Sequence, residues 1–140
     1  MGNLRVDYGY SHEFVTSELD RSTFLSFLPT LVDLLRDLGV SSVDVKYGYV
    51  MDAGEEGQEE NRTVSIRELQ HVIADGLDRG VIEWGRLSDF VVMSRCVSLG
   101  VMLCNDTDLH FGSDEKDVLT RVESLVRSKG IETFGVQSTP

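Results

Sequence analysis

Apolar and polar positions alternate along this chain in two different periods, and the switches between them mark the elements. Residues 4–10, LRVDYGY, put Leu4, Val6, Tyr8 and Tyr10 on one face and predict a short first strand. The following SHEFVTSELDRS is polar and rich in capping residues. It leads into TFLSFLPTLVDLLRDLG, where apolar side chains crowd at helical spacing from Phe24 to Leu38 until Gly39 supplies a stop. A largely buried helix is expected over 22–38, with Pro29 either kinking it or marking its real start, since proline is comfortable only in a first turn.

Residues 42–51, SVDVKYGYVM, place Val43, Val45, Tyr47 and Tyr49 on one face and Asp44, Lys46 and Gly48 on the other, the alternation of a half-exposed strand. DAGEEGQEENR follows without an apolar anchor, and 52–62 is therefore expected to be a mobile acidic loop. Ser65 to Glu68 reads as a capping box for a second helix over 66–79, whose stripe is Leu69, Val72, Ile73 and Leu77. From Val81 the β-branched runs VIEWG, DFVVMSRCV and SLGVMLCN fit two antiparallel strands with a tight turn, or one long strand with a bulge at Gly100. A third helix starts after Ser113 as its cap, buries Val118, Leu119, Val122, Leu125 and Val126, and ends at Lys129 and Gly130. The spacings Asp117/Arg121 and Glu123/Arg127 suit exposed i,i+4 pairs, and IETFGV predicts a final strand over 131–136. The order implies one α+β domain over 1–140, a mixed or antiparallel sheet with about three helices packed on one face.

Composition changes this picture mainly through charge. The hydrophobic share of 41% and charged share of 26% are ordinary for a folded domain, but the net charge is -11. Residues 1–70 hold 13 of the 24 acidic groups and only 6 of the 13 basic ones. Nucleic-acid affinity rests on Lys and Arg displacing counterions, so this field opposes direct DNA or RNA binding and favours basic partners; it also serves solubility. No apolar stretch reaches membrane-spanning length, and MGNLRVDYGY lacks the basic start and apolar core of a secretory signal, so a cytoplasmic protein without membrane partners is expected. Cys96 and Cys104 sit in apolar runs and read as small buried hydrophobes, though a hairpin would let them face each other.

Candidate chemistry is sparse. Asp106, Asp108 and His110 recur at period two and would share a face of an extended stretch, where two carboxylates and an imidazole suit a divalent metal; a polar turn leading into a cap accounts for the same residues. His12 with Glu13 and His71 with Asp75 are the other acid/base pairs, His71 reading as a boundary residue and His12 as a loop residue. GxGxxG, GxxxxGK[ST] and GxSxG are absent, and no nucleophile, metal or cofactor is assigned. Trp84, the sole tryptophan, is either core or an anchor for a partner.

The C-terminal third runs from DFVVMSRCVSLG through LCNDTDLHFGSD, residues 103–114, to an amphipathic helix and a terminal GIETF. It resembles the closing part of immunity proteins from bacterial polymorphic-toxin systems, which neutralise contact-dependent or type VI secreted toxins. The resemblance implies a non-enzymatic protein that occupies a toxin's active site or an adjoining surface. Charge complementarity agrees, because an acidic inhibitor steers rapidly into a basic cleft. The residues expected at that interface are the carboxylates Asp52, Glu55, Glu56, Glu59, Glu60, Asp106 and Asp108 with the aromatic anchors Tyr47, Tyr49 and Trp84. Two alternatives stand beside it: an acidic mimic of nucleic acid, such as a phage-encoded inhibitor, and a small metal- or ligand-binding enzyme domain built on Asp106, Asp108 and His110.

Overall fold

The computed structural model describes residues 10–50, 60–79, 88–94, 96–103 and 107–139. In chain order the elements are β1 His12–Val15, α1 Arg21–Asp37, β2 Ser42–Val50, β3 Glu60–Ser65, α2 Ile66–Asp78, β4 Ser88–Ser94, β5 Leu99–Leu103, β6 Leu109–Ser113, α3 Lys116–Ser128 and β7 Gln137–Ser138. The seven strands make one sheet in the order β3-β2-β4-β5-β6-β1-β7. Every pairing in it is antiparallel, so the chain is α+β with an antiparallel sheet. The strand expected at 4–10 lies outside the described residues except for Tyr10, as do VIEWG at 81–85 and Cys104.

Helix α1 starts where its polar prelude allows. Asp20 is the N-cap, its Oδ1 accepting the Thr23 N–H at 2.7 Å, and Gly39 at φ 87 closes the other end by donating to the Arg36 carbonyl. Pro29 lies inside the helix and not at its start. Phe24, Phe27, Leu28, Leu31, Val32, Leu34 and Leu35 are all buried, so tertiary packing carries the helix past the N–H that Pro29 cannot supply.

The other two helices begin differently from expectation. Ser65 stands at the N-cap of α2 but makes no side-chain cap bond, so the S-I-R-E capping box does not form. Ser65 is still paired with Ser42 as a sheet residue, and the orphan N–H of Ile66 is taken by the Ser41 carbonyl at 2.9 Å. Ser113 ends β6, fully buried, and its Oγ accepts the Glu115 N–H at 2.9 Å; Glu115 is the N-cap of α3. On α3 the core side chains are Leu119, Val122 and Val126, with Val118 and Leu125 only partly buried. The i,i+4 pairs expected there do not appear among the ion pairs of the described residues. Glu123 turns instead to the Thr133 hydroxyl at 2.8 Å and the Gly135 N–H at 3.1 Å.

Three strands depart from the expected string. β1 occupies HEFV inside the stretch read as a polar prelude, β3 takes Glu60, Asn61 and Arg62 out of the acidic loop, and β6 covers LHFGS. The terminal strand is displaced too: β7 is Gln137–Ser138, while Thr133 makes only an isolated bridge with Thr16. The β4–β5 hairpin is as expected, without a single long strand. Cys96 in its turn is exposed, not buried, with its Sγ 3.7 Å from the Ser94 Oγ.

Buried residues of all three helices join the inward positions of β1 to β6 in a single cluster that includes Phe14, Phe24, Leu28, Leu69, Ile73, Val92, Val101, Phe111 and Val122. On the opposite sheet face a smaller cluster unites Val91 and Met102 with Tyr10 and Met93. Tyr10 lies across Gly100, where a Cβ would come within 2.5 Å of its Cε2 and 2.8 Å of its hydroxyl, so glycine is what lets the ring lie flat there. Burial, then the Asp114 charge, raises the Tyr10 phenol above its usual 10.0.

The Asp20 cap gives a pH test. The Thr23 N–H, then the Thr23 side chain, hold its carboxyl below the usual 3.8. A lowered carboxyl contributes stability above its unfolded value and loses it as pH falls through the folded one. Asp20→Ala is therefore expected to lower the melting temperature at neutral pH, with the gap to wild type closing below pH 3.8. A pH-independent gap would assign the loss to something other than the charged cap.

Candidate functional site

Pairing register sorts the strand ends into two groups. Val50 pairs with Ser88, Tyr47 with Glu60, Phe90 with Leu103, Leu103 with Leu109, and Val15 with His110. At this end of the sheet the chain leaves β2, β5 and β1 and enters β3, β4 and β6. Ser42, Ser65, Ser94, Leu99, Ser113 and His12 lie at the other end by the same registers.

Among the residues expected to bind a partner, Tyr47 and Tyr49 belong to the last part of β2 and Glu60 opens β3, all at the first end. Between Tyr47 and Tyr49 the register against β4 shifts, so two β2 residues oppose one. Asp52, Glu55, Glu56, Glu59, Trp84 and Asp106 lie outside the described residues. Asp108 directly precedes β6 and His110 is its second residue.

These last two are joined by Glu13, which sequence reasoning paired with His12. The Nδ1 of His110 lies 2.9 Å from the Glu13 Oε2 and its Nε2 lies 3.1 Å from the Asp108 Oδ1. The ring side chain is 10% exposed and the two carboxylates 19% and 18%. With both carboxylates ionised, the ring can donate to both partners only as the imidazolium. In that state it has no lone pair to offer a substrate proton or a metal. Among the described residues no group of three or more His, Cys, Asp or Glu is arranged to hold a metal ion.

The backbone around the bridge is unusual. Thr107 has φ 65, the one non-glycine residue with positive φ among the described residues, and a β-branched side chain is strained there. Its carbonyl accepts the Leu19 N–H at 3.0 Å. Buried Thr16 makes a two-way contact with Leu109: its N–H donates to the Leu109 carbonyl at 2.9 Å, and its Oγ1 accepts the Leu109 N–H at 3.0 Å. Thr107 and Leu109 are thus tied to the segment after β1 by backbone bonds and a side chain together.

The remaining acid/base pairs separate. His12 is a strand residue whose Nδ1 meets the Ser138 Oγ at 2.7 Å, so it is not a partnerless loop residue. His71 is exposed on α2, and Asp75 pairs with Arg79 at 2.8 Å. Glu13 gave little sign of its partner because its strand is only four residues long and its apolar signal is Phe14 with Val15. The usable signal was H-E-F-V flanked by polar residues, which period-two reading admits as a short strand. A mixed groove on the open face, lined by Asp44, Lys46, Arg62, Thr63, Val91 and Met93, was also not anticipated.

No family model, curated protein or solved structure matches the chain. No helix among the described residues is long and apolar enough to cross a membrane.

Strain at Thr107 is measurable. Asn tolerates the left-handed region, so Thr107→Asn is expected to raise the unfolding free energy by about 0.5–1 kcal/mol. A loss of similar size in denaturant unfolding would show that threonine's own contacts outweigh its backbone cost.

Proposed function

We propose that the chain is an inhibitory binding protein of the immunity type. It offers one acidic end of its sheet to a basic active-site cleft, or an adjoining surface, of a bacterial toxin in the cytoplasm. The observation that carries this reading is the charge contrast between the two groups of connections. In sequence, the stretches that join elements whose ends lie at the first end, 16–20, 51–59, 79–87 and 104–108, contain Glu18, Asp20, Asp52, Glu55, Glu56, Glu59, Glu83, Asp106 and Asp108, of which Glu18, Asp20 and Asp108 are among the described residues. Against them stand only Arg86 and Arg79, and Arg79 is paired with Asp75. The connection 129–136, which meets β1 at this end through Thr133, adds one charge of each sign, Lys129 and Glu132. Connections at the other end, 38–41, 95–98 and 114–115, contain Asp114, Glu115 and Arg95.

In this reading the three helices all pack on one face of the sheet and take no part in docking. Antiparallel strands then act as a rigid frame that collects carboxylates from distant parts of the sequence. A one-signed surface of this kind raises the association rate with a basic partner and weakens with salt. Aromatic side chains at Tyr47, Tyr49 and Trp84 supply contacts that charge alone does not, since a few large anchors carry most interface energy. No catalytic step is assigned to the Glu13, Asp108 and His110 group, whose ring nitrogens are both occupied.

Co-expression with a panel of cationic toxin nuclease domains is expected to restore growth against one of them and yield a co-purifying complex. Changing Glu55, Glu56, Glu59 and Glu60 together to Lys is expected to slow that association by about tenfold or more at low salt and flatten its salt dependence. Unchanged kinetics would remove the 51–60 segment from the interface, and absence of rescue across the panel would count against the toxin reading.

A further inference from the structure

The geometry points to Asp108 as a positioning residue, not a contact carboxylate: with His110 and Glu13 it holds residues 107–109 in the shape presented to a partner. This rests on the reading that the acidic end of the sheet binds. Only 18% of the Asp108 side chain is exposed, and its Oδ1 is engaged by the ring at 3.1 Å. A carboxylate so placed is poorly available to a basic side chain arriving from outside. Glu13 holds the other ring nitrogen from β1, 97 residues away in sequence, so the ring spans two segments that meet only in the fold.

The strained backbone is the second, independent observation. Thr107 stays at φ 65 because its carbonyl is held by the Leu19 N–H and the next residues are pinned through Asp108 to His110 and through Leu109 to Thr16. A sparsely populated conformation persists only where its surroundings over-determine it. Fixing residues 107–109 before binding spares the entropy of ordering them during binding.

Asparagine separates the two roles, because Asp108→Asn keeps an oxygen that accepts from the ring but carries no charge. Amide hydrogen exchange on the full chain would be read at Leu19 and Leu109, with Val101 in β5 as the internal reference. Asp108→Ala and His110→Phe are expected to raise exchange at Leu19 and Leu109 by about tenfold relative to Val101, while Asp108→Asn stays close to wild type. Val122→Ala, a core change away from the bridge, serves as the control and is expected to move all three amides together. Uniform acceleration in Asp108→Ala, or Asp108→Asn behaving like Asp108→Ala, would overturn the positioning role. Binding of a short poly-L-lysine peptide gives the second readout: positioning requires Asp108→Ala to weaken it and Asp108→Asn to preserve it. Equal weakening by both would return Asp108 to the interface as a direct contact. Failure of wild type to bind the peptide would instead count against the acidic-end reading, leaving the exchange result to judge the bridge.

Discussion

The pairing of β1 with β6 is the contact on which the rest of the structure depends. Phe14 stacks on Phe111 with ring centroids 4.8 Å apart and planes within 8°, and both side chains are fully buried. Truncating such a ring costs about 3–5 kcal/mol, a large part of the roughly 5–15 kcal/mol that holds a domain together. β1 also bridges the chain's extremes, because it pairs on its other side with β7 near the C-terminus. Without β1, β6 would become an edge and the tie between Thr16 and Leu109 could not form.

That pairing also decides which residues meet. Because side chains alternate across a strand, burying Phe14 and Phe111 on the core face sends Glu13 and His110 to the open face, on diagonal positions with Glu13 opposite Gly112 and His110 opposite Val15. The His110 ring then has a carboxylate on either side, Glu13 from β1 and Asp108 from just before β6. The arrangement links the packing of the core directly to the surface proposed to dock.

Legibility in the sequence followed burial pattern. The long helices could be read, since α1 and α2 begin and end within about a residue of the expected bounds, and so could β2 and the β4–β5 hairpin. β6 could not, because only Leu109 and Phe111 in LHFGS are apolar, too short a run to stand out locally. β3 has a single described core residue, Val64, in an otherwise polar run. Capping motifs misled for a local reason: Ser65 and Ser113 were still held in or against the sheet when the helices began. At the site, the period-two spacing correctly associated Asp108 with His110, but their hydrogen bond to each other and the third member, Glu13, depended on a pairing across 97 residues that no local pattern encodes.

The central claim is that one end of the sheet, and not the other, meets a basic protein. Hydrogen-exchange footprinting of the chain alone and in complex with a toxin domain that co-purifies with it tests this most directly. Protection is expected at the C-terminal part of β2, the start of β3 and residues 107–110, with 38–41 and 96–98 unchanged. Protection confined to 38–41 and 96–98, or to the exposed faces of the helices, would contradict it.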